Sequence, residues 1–153
     1  MAYQEITVDV YAASDVTAGA AANVGDSDDA THWGPGGVAP SWVSCDFGEN
    51  HTVTKVELWS KADAANGVRC KDFNLEYSDN DVDWFLEEAF QHTNSDGNEV
   101  FVVATPSSHR YWRAYVTSQW NTDSSWNRIH EFHLFETIGG TGFMTCNTGY
   151  WGA

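Results

Sequence analysis

Basic residues are scarce in this chain: seven Lys and Arg stand against 22 Asp and Glu, a formal net charge of −15, and none occurs before Lys55. The seven never cluster, which argues against binding nucleic acid or an anionic membrane through a basic patch. Cysteine is nearly as sparse. Cys45, Cys70 and Cys146 are too few for a disulfide framework. No apolar run approaches the length of a membrane-spanning helix. The opening residues Met1-Ala2-Tyr3-Gln4-Glu5 have neither the basic start nor the apolar run of a secretion signal. There is no G-x-S-x-G elbow, and no cysteine sits in a sequence that suggests a nucleophile. His130-Glu131-Phe132-His133 is not the helical H-E-x-x-H pattern, and on a strand its two histidines point to opposite faces. The many carboxylates could hide a pair of the glycosidase kind, since the two need not be adjacent in sequence.

What the chain does have is aromatic side chains, 14% of residues with eight Trp, and short alternating segments. Residues 4–11 place Ile6, Val8 and Val10 on one face. Residues 42–47, 52–59, 72–78, 99–104, 111–117 and 131–135 read as further strands, and 48–51 and 78–81 as turns. Residues 12–22 and 61–68 read as loops. Short strands at roughly ten-residue spacing, without a convincing amphipathic helix, predict an all-β sandwich or barrel. At 153 residues one domain is the simplest organisation.

The most distinctive stretch is Asn23-Val24-Gly25-Asp26-Ser27-Asp28-Asp29-Ala30-Thr31-His32-Trp33. Gly, Ser and Asp make it a loop. Three carboxylates this close repel unless water or a cation screens them, and a hard cation such as Ca2+ takes oxygens from such a turn. It is not an EF-hand, because the sixth position is Thr31 and no Glu stands at the twelfth. A solvated acidic turn is the plain alternative.

An acidic turn ending in Thr31-His32-Trp33 is similar to the first signature of the discoidin, or coagulation-factor C-type, family, which includes galactose-binding-domain-like carbohydrate modules. Further landmarks follow in that family's order: Ser41-Trp42-Val43-Ser44-Cys45-Asp46-Phe47-Gly48, Val53-Thr54-Lys55-Val56-Glu57-Leu58, Arg69-Cys70-Lys71-Asp72-Phe73, Arg110-Tyr111-Trp112-Arg113 and Ile129-His130-Glu131-Phe132. The resemblance spans roughly residues 8–136. It implies an eight-stranded antiparallel jelly-roll β-sandwich over residues 1–136. It also implies a structural Ca2+ site that uses Asp26, Asp28, Thr31 and Glu131 with the carbonyls of Gly25 and Phe132. Cys45 and Cys70 match aliphatic core positions, and Trp33 and Trp42 match structural ones. Arg113 is expected to be packed or ion-paired.

Sandwiches of this family bind ligands at the loops of one end. Sugars need planar hydrogen-bonding groups beside an aromatic face. His32, Arg69, Trp120, Asn121, Trp126 and Asn127 are the candidate contacts, and the loop at 118–128 is the richest. Residues 137–153 differ from the rest: they hold no charge and five glycines, yet carry Ile138, Phe143, Met144, Tyr150 and Trp151. They are expected to form an arm that docks on another copy or a larger scaffold. The resemblance also implies a fold whose members typically bind rather than catalyse, so the chain is expected not to be an enzyme, and two functions compete. One is a non-catalytic carbohydrate-binding adhesion or targeting module with a glycan or glycoprotein as partner. The other is a structural assembly protein, such as a virion decoration or tail-fibre subunit. Either implies an extracellular or virion-surface location.

Overall fold

The computed structural model describes residues 1–37, 39–62, 67–120 and 126–139; the side chain of Trp126 is outside that description. Two antiparallel sheets face one another. The four-stranded sheet runs in the order β1 (Ala2–Glu5), β13 (Glu131–Ile138), β6 (Lys55–Ser60), β10 (Gly97–Val102). The five-stranded sheet runs β2 (Val10–Ala13), β5 (Ser41–Thr52), β11 (Ser108–Val116), β8 (Asp72–Ser78), β9 (Phe85–Gln91). Alternation along the inner strands decides what lies between them. Val43, Cys45 and Phe47 of β5, Val56 and Leu58 of β6, Phe73 and Leu75 of β8, and Trp112, Ala114 and Val116 of β11 all turn inward and are buried. Trp33, Phe132 and Leu134 complete this core.

Several sequence expectations change here. Residues 4–11 are not one strand. Ile6 donates its N–H to the Leu134 carbonyl and Asp9 donates to Asp46, so the chain leaves one sheet and joins the other between them. Val10, expected inward, is 58% exposed as a result. The expected turn at 48–51 lies inside the long strand β5. Gly48 takes φ +77°, a left-handed value that glycine tolerates, and the pairing with β11 shifts register between His109 and Tyr111. Strand β9, with the sequence FLEEAFQ, was not expected at all, because it lies on a sheet edge and its apolar residues do not alternate. The last strand continues through Ile138, pairing Ala2 with Ile138, two residues beyond the expected boundary at 136.

One end of the sandwich carries smaller pairings. Strand β3 (Ala18–Gly19) pairs with β4 (Trp33–Gly34), while β7 (Gly67–Arg69) runs parallel to β12 (Trp126–Arg128). Trp33 and Ile129 exchange backbone hydrogen bonds of 2.8 and 3.1 Å, which joins β4 to the end of β12. Residues 67–69 and 126–128, from segments that read as loops, are thereby stitched side by side. This positions the candidate ligand residues. No helix among the described residues is long and apolar enough to cross a membrane.

Candidate functional site

The acidic turn follows a single 3-10 helix, Ala21–Gly25, that packs against β13 and β2. Its polar groups organise one another. The Asp28 amide donates to Asp26 Oδ1 (2.9 Å), and the Thr31 hydroxyl donates to Asp26 Oδ2 (2.7 Å). The Ala30 amide donates to Asp28 Oδ1 (3.0 Å), and the Thr31 amide reaches the Asp28 carbonyl (3.0 Å). Asn23 Nδ2 donates to the His32 carbonyl at 3.0 Å and draws the two ends of the loop together.

Glu131 is the buried member of the predicted set, at 6% exposure. Its Oε2 meets His133 Nε2 at 2.8 Å, and His133 Nδ1 meets Glu5 Oε1 at 2.5 Å. Its other oxygen, Oε1, is buried and has no hydrogen-bond partner. Burial pushes the Glu131 carboxyl up from its ordinary value; His133 and the backbone N–H of Ser27 in the acidic turn oppose that, and the charge of Asp26 adds to it. Asp26 and Glu131 also both act on Tyr11, whose phenol is pushed up chiefly by burial. The fold thus brings Asp26, Thr31 and Glu131 into one neighbourhood, whereas the Asp28 carboxylate is occupied in capping the turn. The Phe132 side chain lies in the core. Among the described residues no three His, Cys, Asp or Glu side chains form a metal-holding group. Gly25 is needed for more than its carbonyl: a Cβ there would sit 1.8 Å from Tyr11 Oη.

At the crown, Trp120 is half-buried. Its Nε1 donates to the His92 carbonyl (2.9 Å), its own amide donates to the Arg69 carbonyl (3.1 Å), and Lys71 Nζ lies 4.8 Å from the ring centroid. Arg69 donates through Nε to Asp96 Oδ1 (2.7 Å) and through Nη1 to Asn94 Oδ1 (3.0 Å). The Ala62 amide, then Arg69, hold the Asp96 carboxyl below its ordinary range. His92 is fully buried, with both ring nitrogens facing carbonyl oxygens, those of Thr93 (2.8 Å) and Gly97 (3.1 Å). His32 is part-exposed, its ring 5.4 Å from that of His130. In register, Arg69 lies beside Arg128.

Asn127 is a correction. Expected at the ligand, it is wholly buried, and its Nδ2 donates to Ser41 Oγ at 3.0 Å, because the parallel β7–β12 pairing turns it into the body of the sandwich. Asn121 and the Trp126 side chain lie outside the described residues. Asn94, Asp96, Lys71 and His92 escaped the sequence reading. The turn Asn94-Ser95-Asp96-Gly97 was the available signal, but its approach to Arg69 is a long-range matter. Cys45 and Cys70 are buried thiols pushed well up by burial, and so poor nucleophiles.

A two-sheet jelly roll with a polar crown and an acidic turn at the last strand defines a discoidin-type β-sandwich. The chain belongs to the F5/8 type C domain family, whose model matches residues 7–132. No curated protein matches its sequence significantly. Among solved structures, it is similar to the CBM32 of AlyQ in complex with 4,5-unsaturated mannuronic acid (TM-score 0.74, 16% identity, 88% of this chain and 99% of that one). It is equally similar to the family 32 CBM from C. perfringens NanJ in complex with galactose (TM-score 0.74, 13% identity, 88% and 100%). A chitosan-binding module of the chitosanase/glucanase from Paenibacillus sp. IK-5 also matches (TM-score 0.72, 18% identity, 88% and 100%). At such identities these establish the fold.

Proposed function

We propose that the chain is a non-catalytic carbohydrate-binding module used for adhesion or targeting, with its glycan at the crown and a structural calcium ion at the acidic turn. The observation that carries the glycan reading is Trp120, part-exposed yet anchored at its Nε1 and, through its amide, to the backbone carbonyl of Arg69, whose guanidinium is held by Asn94 and Asp96. A fixed aromatic face next to fixed planar polar groups suits a pyranose ring and its hydroxyls. His32 stands as a further contact, and Asn121 and Trp126 belong to the same proposal on sequence grounds. The neighbours solved with galactose and with an unsaturated uronic acid support a sugar ligand. Trp120→Ala should abolish glycan binding on an array or in calorimetry and, because the ring is half-buried and bonded at Nε1, lower stability by about 0.5–3 kcal/mol while the chain stays folded by circular dichroism. An array blank for the unaltered protein would refute the reading.

For the cation, the residues present fit a hard ion. The unpartnered Glu131 Oε1 beside Asp26 is an oxygen in want of a positive partner. Asp26, Thr31 and Glu131 with the carbonyls of Gly25 and Phe132 would hold the ion, and Asp28 would join them by releasing the Ala30 amide it accepts from in this structure. When bound, it supplies charge neutralisation that ties the turn to β13. The test is calorimetric melting with and without Ca2+. A hundredfold excess over Kd stabilises by about 2.7 kcal/mol, and Asp26→Ala should remove that gain. Identical melting curves in Ca2+ and in chelator would count against the site.

A further inference from the structure

The outer face of the five-stranded sheet carries aromatic rings and an ion pair on strands whose other side fills the core. Alternation sends Trp42 of β5, Tyr111, Arg113 and Tyr115 of β11, and Asn74 and Glu76 of β8 to this side, since Val43, Trp112, Ala114, Phe73 and Leu75 between them are buried. Tyr115 lies directly between Trp42 and Asn74, and Arg113 lies beside Glu76. Trp84, from the turn before β9, folds onto the same face. The Arg113 guanidinium carbon is 4.3 Å from the Trp84 ring centroid, 4.9 Å from Tyr115 and 5.6 Å from Trp42. Both Arg113 Nε and Nη2 reach Glu76 Oε2 at 2.7 Å. The pair is mostly covered, at 14% and 12% side-chain exposure, whereas the three rings around it are part-exposed. The rings therefore stand fixed around a rigid centre, so little side-chain freedom remains to be lost on binding.

Past Tyr115 the face opens into a depression of about 460 Å3 bordered by Asp72, Asn74, Ala89, Gln91 and Thr117. Asp72 is engaged by Gln91 (2.7 Å) and Ser118 (2.5 Å). The Asn74 amide makes only a 3.5 Å contact with Glu76, which leaves it available to a ligand. Rings and depression together cross β5, β11, β8 and β9, a strip of about 15 Å at the usual spacing of about 4.8 Å between strands.

Charge selects the occupant. Arg113 is neutralised by Glu76, and Arg110 by Asp46 through bonds of 2.8 and 3.0 Å, so neither guanidinium on this face is left to pair an anion. The chain's net charge of −15 disfavours a polyanionic glycan. Flat sugar rings stacked on indole and phenol, with hydroxyls bonded by Asn74 and the edge of the Arg113–Glu76 pair, meet what is there. We propose that this face is a second carbohydrate surface, for a run of uncharged pyranosides lying across β5, β11 and β8 and ending in the depression beside Asn74. It is separate from the crown and does not depend on the crown binding sugar.

The test is affinity electrophoresis of the full chain in gels containing hydroxyethyl cellulose, xylan or galactomannan, with alginate and polygalacturonate as charged controls. At least one uncharged polymer should retard the protein, with affinity about tenfold weaker in Trp84→Ala and in Asn74→Ala, a loss of about 1.4 kcal/mol. Trp120→Ala should retain it. Asn74→Ala replaces a part-exposed amide and keeps the test valid if Trp84→Ala fails to fold. The proposal is overturned if no uncharged polymer retards the protein or only the charged ones do. Equal loss in Trp120→Ala would assign the binding to the crown and overturn it too. So would self-association in sedimentation that Trp84→Ala abolishes, since the face would then be a contact between copies.

Discussion

Glu131 shows how much depends on one carboxylate. Its carboxyl is raised, so between the ordinary value of 4.5 and its higher folded value the native state binds more protons than the unfolded chain. Its contribution to stability is therefore intact below pH 4.5 and lost as pH rises through the folded value. In metal-free protein at pH 7, Glu131→Gln should leave the melting temperature unchanged or raise it, while removing any response to Ca2+. A large drop in metal-free stability would mean that the His133 contact outweighs desolvation. Gly25 is the second such residue. Gly25→Ala drives a Cβ into Tyr11 Oη, and overpacking of this kind costs about 1–3 kcal/mol, readable as a lower urea midpoint.

At the scale of elements, the loop between β9 and β10 sets the crown by holding Arg69 through Asn94 and Asp96. Because the Asp96 carboxyl is held low, its stabilising effect is present above its ordinary value of 3.8 and is lost as pH falls through the lowered one. The contribution of Asp96 to crown binding should accordingly persist as pH falls to its ordinary value of 3.8 and be lost only below it, followed by calorimetry with sugar added. Strand β11 is the central element of its sheet, and Trp112 is its fully buried anchor, with Nε1 bonded to the His109 carbonyl at 2.9 Å. Trp112→Ala should destabilise by about 3–5 kcal/mol in denaturant titration.

For the whole molecule the open matter is assembly. The arm expected at 137–153 lies outside the described residues from 140 onward, and β13 claims its first two residues by pairing them with Tyr3 and Ala2. Ile138 at the end of that strand is 46% exposed, and Val100 and Val102 on the edge strand β10 are 56% and 61% exposed. They do not make one surface: Val56, Phe101 and Leu134 turn inward, so Val100 and Val102 point outward while Ile138 keeps the parity of Leu134. Truncation after Gly139, which spares the β1–β13 pairing, should keep the melting temperature and abolish any oligomer seen by light scattering. A full-length chain that stays monomeric at high concentration, with a protease-sensitive tail and no partner, would dismiss the assembly role.

Much of this was legible in the chain itself because the signal is local. Period-two alternation in residues 42–47 and 72–78 decides which side chains face inward whatever the partner strand. Gly, Ser and Asp at 25–29 dictate a turn before any contact forms. The sequence alone therefore determined the all-β class, which side chains of those strands turn inward, and the acidic turn. Long-range pairing decided the rest. Asn127 looks exposed in a polar stretch, and only its bond to Ser41, 86 positions away, shows it buried. Strand β9 exists because β8 offers it an edge, not because FLEEAFQ alternates. Trp42 and Trp84 come together around Arg113 only when β5, β11 and the turn before β9 meet, since the position of a ring on a folded surface depends on residues far away in sequence.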